Sequence, residues 1–197
     1  MNCCQTLPDD YREIYSVDLQ KDKKTALLIT VLSLVLGIAA LVLSHLLFPF
    51  SIFAILDMSQ GIGPYLIRTA VLLAGMIAYI VLHELTHAAV MKYYGATKLR
   101  FGFSLMYAYA GSERDYFGKK PYIHIALAPV IVWGAIFLVL SLTVRGPYLG
   151  VVNLLQMVNL SGAAGDLYVS WKFARFPDDL LVKDTGVDMK AYSRQSL

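Results

Sequence analysis

The sequence predicts an all-α membrane protein, with about four transmembrane helices and a short β-hairpin or re-entrant segment between helices 2 and 3. Hydrophobic residues make up 57% of the 197 residues and charged residues only 16%. The apolar residues also come in runs that are long enough to cross a bilayer. A third observation is that the charged residues lie almost entirely between and beyond these runs. A chain of this length is expected to form one domain.

The chain divides into a polar N-terminal segment (1–24), a membrane-embedded region (25–175) and a charged tail (176–197). Cys3 and Cys4 are adjacent and are the only cysteines, which excludes a disulfide framework. We interpret them as part of an unmodified, flexible tail, with acylation of the cysteines as the alternative. The predicted transmembrane helices cover approximately residues 25–47, 65–94, 122–144 and 147–173.

The positive charges predict the orientation of these helices. Fifteen of the lysines and arginines lie in the N-terminal segment, in the 92–120 region and in the tail from Lys172 onward, whereas only Arg68 and Arg145 lie elsewhere. Because cytoplasmic loops are enriched in Lys and Arg, both termini and the 92–120 region are expected to be cytoplasmic. No basic patch interleaved with aromatic residues is present, so we expect the lipid bilayer and no nucleic acid as a partner.

The segment 101–110, between the second and third helices, alternates large and small residues. This pattern is typical of a β-strand with its large residues on one face, so we expect a hairpin or a re-entrant strand near the second helix. The open edge of such a strand could pair with an extended peptide. An amphipathic ribbon packed on the bilayer surface is the alternative interpretation.

The second predicted helix contains an HExxH motif, formed by His83, Glu84 and His87 with Leu85 and Thr86 between them. On a helix, two histidines four residues apart project from one face and can bind one metal ion. Glu84 lies one step round from His83, where its carboxylate could reach a water molecule on that metal. Two histidines that bind nothing are the alternative, but buried imidazoles and a carboxylate are costly in an apolar helix.

A catalytic zinc site needs a third protein ligand, for which the sequence offers three candidates. Asp166 is favoured because a carboxylate deep in an apolar helix needs a partner. His83 and Asp166 each lie 19 residues after a proline, Pro64 and Pro147. At ~1.5 Å per residue, this places both at one depth near the cytoplasmic leaflet. Glu113, in a polar loop, and His124, at the start of the third helix, remain open alternatives, as does a polar helix contact without metal at Asp166.

Three motifs carry a family resemblance: the HExxH motif at 83–87, Leu-Ala-Pro at 127–129 and Asn-Leu-Ser-Gly-Ala-Ala-Gly-Asp at 159–166. Their order resembles the site-2 protease plan. The closer match, from about residue 80 to the tail and including the segment 176–186, is to small bacterial membrane proteins grouped as putative zincin peptidases. The resemblance implies one Zn²⁺ per chain, with Asp166 completing the site, and a bacterial plasma membrane location. The sequence departs from the site-2 pattern at Ala128-Pro129 and Gly165-Asp166-Leu167.

This resemblance implies an intramembrane zinc metalloprotease that cleaves a membrane-anchored peptide or protein near the cytoplasmic leaflet. Glu84 is then the expected general base. Asn159, two turns before Asp166, could donate a hydrogen bond to the oxyanion or to a bound peptide, and Tyr79 could support a ligand. Structural packing is the alternative for both. A non-proteolytic membrane scaffold with a structural metal site is the competing function. The oligomeric state is not predicted.

Overall fold

The computed structural model of the chain describes residues 2–18, 21–48, 55–103, 108–186 and 188–195. It is mostly helical, which confirms the helical class in its coarse form. Three helices, α1, α2 and α3, are long and apolar enough to cross a membrane. Each begins and ends within about three residues of its predicted bounds. Helix ends fray, so small differences of this kind are usual. The helices are α1 (Lys23–Leu47), α2 (Ile62–Tyr93), α3 (Lys119–Thr143), α4 (Pro147–Gly162) and α5 (Ala164–Phe173).

The region predicted as one helix over 147–173 consists of two helices, α4 and α5, that are separated at Ala163. Gly162 and Gly165 flank this break, and glycine lowers helix stability by ~1 kcal/mol per residue relative to alanine. The break places Asp166 in the first turn of α5. A carboxylate is favoured there because it faces the positive end of the helix dipole. A fourth membrane crossing over this region stays a prediction.

The all-α prediction was wrong about both ends of the chain, which contribute strands to a five-stranded antiparallel sheet of order β1-β5-β6-β7-β2. Its longest pairing joins residues near the two ends of the chain, with Arg12 opposite Ser193 and Asp18 opposite Asp188. Cys3 and Cys4 form a short strand against β5 and not a loose tail. The strands are β1 (Cys3–Cys4), β2 (Arg12–Asp18), β5 (Tyr116–Gly118), β6 (Leu181–Asp184) and β7 (Asp188–Ser193).

The predicted hairpin between α2 and α3 is present as two antiparallel strands, β3 (Arg100–Phe103) and β4 (Ala108–Gly111). In this register Phe101 lies opposite Ala110. The segment is therefore a hairpin and not one continuous strand with all its large residues on one face. Leu105 and Tyr107, which the pattern placed on that face, lie outside the described residues.

The chain forms two compact units. Unit 1 comprises residues 1–29, 83–129 and 165–197, and therefore contains the sheet, the hairpin and α5. A hydrophobic core joins the sheet and α5 to the ends of α2 and α3 that belong to the unit. Phe117, Phe173 and Val182 within it are completely buried. The burial of these side chains stabilises the unit by roughly 1.5–3 kcal/mol for each large apolar residue.

Unit 2 comprises residues 30–82 and 130–164 and consists of helices. Small residues allow close packing in this unit. A Cβ atom added at Gly37 would lie 3.4 Å from the Ser161 Cβ, and one added at Gly75 would lie 3.1 Å from a methyl group of Leu155. Small residues at helix contacts are the usual means by which apolar helices approach closely. Polar side chains are also paired inside this unit, as where the Ser141 hydroxyl lies 3.2 Å from the Asn153 side-chain oxygen.

Candidate metal centre

The two histidines of the HExxH motif lie side by side on one face of α2. They are four residues apart, slightly more than one helical turn, and their ring centroids are 4.9 Å apart. Their side chains are only 11% and 12% exposed, in a helix that is apolar for most of its length. Two nearly buried imidazoles need a polar partner, because an unpaired polar group in such surroundings is destabilising.

Asp166 of α5 supplies that partner within unit 1. Its Oδ2 atom lies 3.3 Å from the Nε2 atom of His83 and 3.6 Å from the Nε2 atom of His87. We define these three side chains as the metal centre. One possible ligand atom from each lies within 4.8 Å of the others.

The spacing and chemistry of the metal centre fit a zinc ion. Zn–N and Zn–O bonds of about 2.0–2.1 Å with tetrahedral angles separate neighbouring ligand atoms by about 3.3 Å. The two Nε2–Oδ2 distances of 3.3 and 3.6 Å are close to this value. Two imidazole nitrogens and one carboxylate are also a ligand set that catalytic zinc sites use, with a fourth position left for water or substrate. The side chains therefore match zinc in both donor type and separation.

A backbone carbonyl fixes the orientation of His87. Its Nδ1 atom lies 2.9 Å from the carbonyl oxygen of Ile125 in α3. Since a carbonyl only accepts, Nδ1 carries a proton, and Nε2 is the nitrogen that faces Asp166. Metal-binding histidines are commonly held in this way, with one nitrogen on a carbonyl and the other on the metal. The contact therefore selects the tautomer that a metal ligand requires.

Glu84 is half-buried beside the two histidines, and the hairpin contacts its carboxylate. The backbone N–H of Ala110 in β4 donates a hydrogen bond to it. This bond orients the carboxylate without neutralising its charge, so that Glu84 can still accept a proton. The hairpin predicted near the second helix is therefore in contact with the motif.

The other two candidates for the third ligand are paired elsewhere. Glu113 is exposed and forms an ion pair with Arg100. The Nδ1 atom of His124 lies 2.5 Å from the hydroxyl of Tyr94, and His124 is also exposed. Within the described part of the chain, His83, His87 and Asp166 are the only group of three or more His, Cys, Asp or Glu side chains with metal-binding spacing.

Asn159 and Tyr79, the two further residues that the sequence suggested, belong to unit 2. The Tyr79 hydroxyl donates to the Asn159 side-chain oxygen at 3.1 Å. The Asn159 amide in turn lies 3.4 Å from both the Val130 carbonyl and the Gln156 side-chain oxygen. Asn159 is completely buried. Its role as an oxyanion donor stays a prediction.

The sequence did not indicate two groups that hold the site, the Ile125 carbonyl and the Ala110 N–H. Both are backbone atoms, so the residue type at these positions carries no chemical signature of the contact. Only the neighbouring patterns gave a signal. The alternation over 101–110 predicted a strand near α2, and the Leu-Ala-Pro motif at 127–129 begins two residues after Ile125.

Comparison with known proteins bears on what this arrangement is. No curated protein and no solved structure matches the chain. The model of one protein family, described as "Putative zincin peptidase", matches residues 76–181. This range is more than half of the chain and contains the metal centre and Glu84. Zincin peptidases are metallopeptidases that use zinc, which agrees with the ligand set found here. The chain therefore belongs to the family of putative zincin peptidases.

Proposed function

We propose that this protein is an intramembrane zinc metalloprotease that hydrolyses a peptide bond of a membrane-anchored substrate near the cytoplasmic leaflet. The observation that carries the proposal is the convergence of His83, His87 and Asp166 beside the carboxylate of Glu84. Family membership supports a metallopeptidase. The three helices that are long and apolar enough to cross a membrane support the location in the bilayer.

In this proposal each residue of the site has one task. Zinc in such a site supplies a Lewis acid that polarises the substrate carbonyl and makes a water molecule more acidic. Glu84 accepts the proton of the attacking water and then delivers it to the nitrogen of the leaving amine. The Ala110 N–H keeps the Glu84 carboxylate in one orientation during both transfers. The Ile125 carbonyl accepts from Nδ1 of His87, so that Nε2 is the nitrogen that would bind zinc.

The hairpin supports binding of an extended substrate. β4 contacts Glu84, and β3 is an edge strand of the two-stranded sheet. Phe101 and Phe103 of β3 are 52% and 79% exposed. A peptide that adds to the edge of a sheet gains backbone hydrogen bonds whatever its sequence, and exposed aromatic side chains can contact its side chains. We therefore propose that the substrate lies extended along this hairpin.

The site also agrees with the proposed orientation. With both termini cytoplasmic, the end of α2 that carries the motif lies toward the cytoplasm, since Lys92 and the basic 92–120 region follow it. The bacterial plasma membrane is the proposed location. A reporter fused after residue 144 and one fused at the C-terminus should report opposite sides of the membrane.

Glu84→Gln tests the peptidase activity. We expect cleavage of single-span substrates in proteoliposomes to fall by roughly 10²–10⁴-fold, because the amide cannot accept the proton, while zinc content stays unchanged. Glu113→Gln, which alters a glutamate that is paired with Arg100, is the matched control and should cleave normally. Equal cleavage by Glu84→Gln and the unchanged protein would exclude Glu84 as the base. A wild-type protein that binds zinc and cleaves none of the substrates would favour the non-proteolytic scaffold.

A further inference from the structure

The end of β6 contains a half-buried carboxylate, that of Asp184, with no role in the proposed mechanism. Asp184 accepts a hydrogen bond from the Tyr122 hydroxyl at Oδ2, 2.6 Å away, and one from the Gly186 N–H at Oδ1, 2.8 Å away. Burial raises the pKa of this carboxyl group, and the Asp166 carboxylate is close enough to raise it further. Asp184 therefore lies near the metal centre without belonging to it.

The side chain of Asp184 holds the first turns of α3. Its partner Tyr122 is 2% exposed and lies on α3, one turn before Ile125. Ile125 is the residue whose carbonyl faces His87 Nδ1 at 2.9 Å. Because Tyr122 and Ile125 lie about one helical turn apart, the bond to Tyr122 holds the turn of α3 whose carbonyl faces His87. Asp184 is thus connected to one zinc ligand through a single helical turn.

The backbone of Asp184 holds the hairpin. Its carbonyl oxygen accepts a hydrogen bond from the Ser112 N–H at 2.7 Å. Ser112 follows β4 directly and lies two residues after Ala110, whose N–H donates to Glu84. The turn after β6 also packs closely on β4, because a Cβ atom added at Gly111 would lie only 2.3 Å from the Thr185 backbone. Asp184 is thus connected to the proposed base through a single strand.

We propose that Asp184 and Tyr122 form a positioning pair that sets His87 and Glu84 relative to each other. The carboxylate holds the helix that orients the ligand, and the carbonyl of the same residue holds the strand that orients the base. Neither residue touches substrate or metal. This inference rests on the proposed function only through the zinc site, and not through cleavage.

Cobalt binding to the full-length protein in detergent tests the pair without an activity assay. Co²⁺ replaces zinc in tetrahedral sites and gives a visible absorption band that depends on ligand geometry. We expect Tyr122→Phe to weaken Co²⁺ binding by about 10–100-fold and to shift the band, as loss of a contact behind a metal ligand usually does. Asp184→Asn, nearly identical in size, should act in the same direction. If Tyr122→Phe does not fold, Asp184→Asn takes its place in the test.

The double variant separates a pair from two independent contacts. If Tyr122 and Asp184 act as one unit, Tyr122→Phe combined with Asp184→Asn should bind Co²⁺ about as weakly as the worse single variant. Asp179→Asn is the matched control. Its carboxylate also accepts two hydrogen bonds in the tail, from Ser193 and Arg194, and Asp179→Asn should bind Co²⁺ normally.

Three results would overturn the inference. The first is that the single variants bind Co²⁺ with unchanged affinity and an unchanged absorption band, even if they unfold more easily. The second is that the fold losses in Co²⁺ affinity of the two single variants multiply in the double variant. The third is a wild-type protein that binds no Co²⁺, which would also remove the zinc site of the proposed function. Wild-type protein that binds Co²⁺ and follows the expected pattern, but cleaves no substrate, would contradict the peptidase and support the positioning pair.

Discussion

Tyr79, Asn159 and Gln156 form a hydrogen-bonded group in unit 2 that we call the amide cluster. The amide cluster and the metal centre of unit 1 both place polar side chains among apolar helices, yet they differ in chemistry. In the amide cluster, Tyr79 and Asn159 contribute donors and acceptors that satisfy each other. In the metal centre, the two imidazoles and the Asp166 carboxylate bring three possible metal-binding atoms within 4.8 Å of one another. Imidazole nitrogens and a carboxylate are a set that binds zinc, whereas an amide and a hydroxyl pair with each other. The comparison suggests that polar residues in an apolar helix mark a functional site when they form a metal-binding set.

The largest expected difference between the two clusters is in metal binding. Asp166→Ala removes a ligand and should weaken zinc binding by more than the ~10–100-fold that is typical for residues behind a ligand. Asn159→Ala, a change of a completely buried polar residue in unit 2, should leave zinc binding unchanged. Equilibrium dialysis against a zinc buffer, with metal analysis of both variants, measures this difference. Unchanged stoichiometry in Asp166→Ala would remove Asp166 from the site and return Glu113 and His124 as candidates.

Removal of the metal should destabilise the protein only where the metal centre is intact. Zinc at 100 times its dissociation constant should stabilise the folded state by about 2.7 kcal/mol, because it binds the folded and not the unfolded chain. The unfolding midpoint in detergent micelles, with zinc and with chelator, tests this. Asn159→Ala should show the same increase as the wild type. A similar increase in Asp166→Ala would mean that zinc stabilises the protein from another site.

The amide cluster should show its effect in stability alone. Asn159→Ala removes the hydrogen bond from the Tyr79 hydroxyl together with the other bonds of the buried amide, and should cost about 1–3 kcal/mol. Tyr79→Phe removes the donor and leaves an amide with other partners, so its cost should be smaller, about 1 kcal/mol. Denaturant unfolding of both variants checks the order. Lower cleavage in Asn159→Ala with unchanged stability would instead support the predicted role of Asn159 as an oxyanion donor.

The smallest expected effect concerns acid stability in unit 1. Burial would raise the pKa of Asp115, but hydrogen bonds from the Ser112 hydroxyl and from Thr97 outweigh it and lower the pKa. A carboxyl group whose pKa is lower in the folded state stabilises the protein above about pH 4, and this contribution disappears as the pH falls. The stability difference between wild type and Asp115→Asn should therefore narrow below about pH 4. A constant difference would exclude ionisation of Asp115 as its source.

The three long helices and the residues of the metal centre could be predicted because their signals are local or chemical. Long apolar runs identify α1, α2 and α3, and the cost of a lone carboxylate in an apolar helix identifies Asp166 from the sequence alone. The break at Ala163 was missed because small residues are compatible both with close packing and with a helix end. The sequence therefore indicated which side chains come together at the candidate site, but not the helix end on which Asp166 lies.

The five-stranded sheet could not be predicted because its signals are weak and its pairings are distant in sequence. β2 and β7 pair across about 170 residues, and each strand mixes charged with apolar residues in a way that is also typical of a solvated tail. The residues Asp184-Thr185-Gly186 were the available local signal, because glycine is common in tight hairpin turns. In the structure Gly186 has the positive φ, 83°, that such a turn requires. The polar terminal segments of a chain with long apolar helices can therefore form strands, as those of a soluble protein can.

X-ray absorption at the zinc edge of the purified, zinc-loaded protein measures directly whether His83, His87 and Asp166 bind the metal. We expect two imidazole nitrogens and at least one carboxylate oxygen at about 2.0–2.2 Å from zinc. In Asp166→Ala the oxygen contribution should fall, or zinc should be lost. A spectrum with three imidazoles, with sulfur from Cys3 or Cys4, or with no bound zinc in the wild-type protein would contradict a site made of His83, His87 and Asp166.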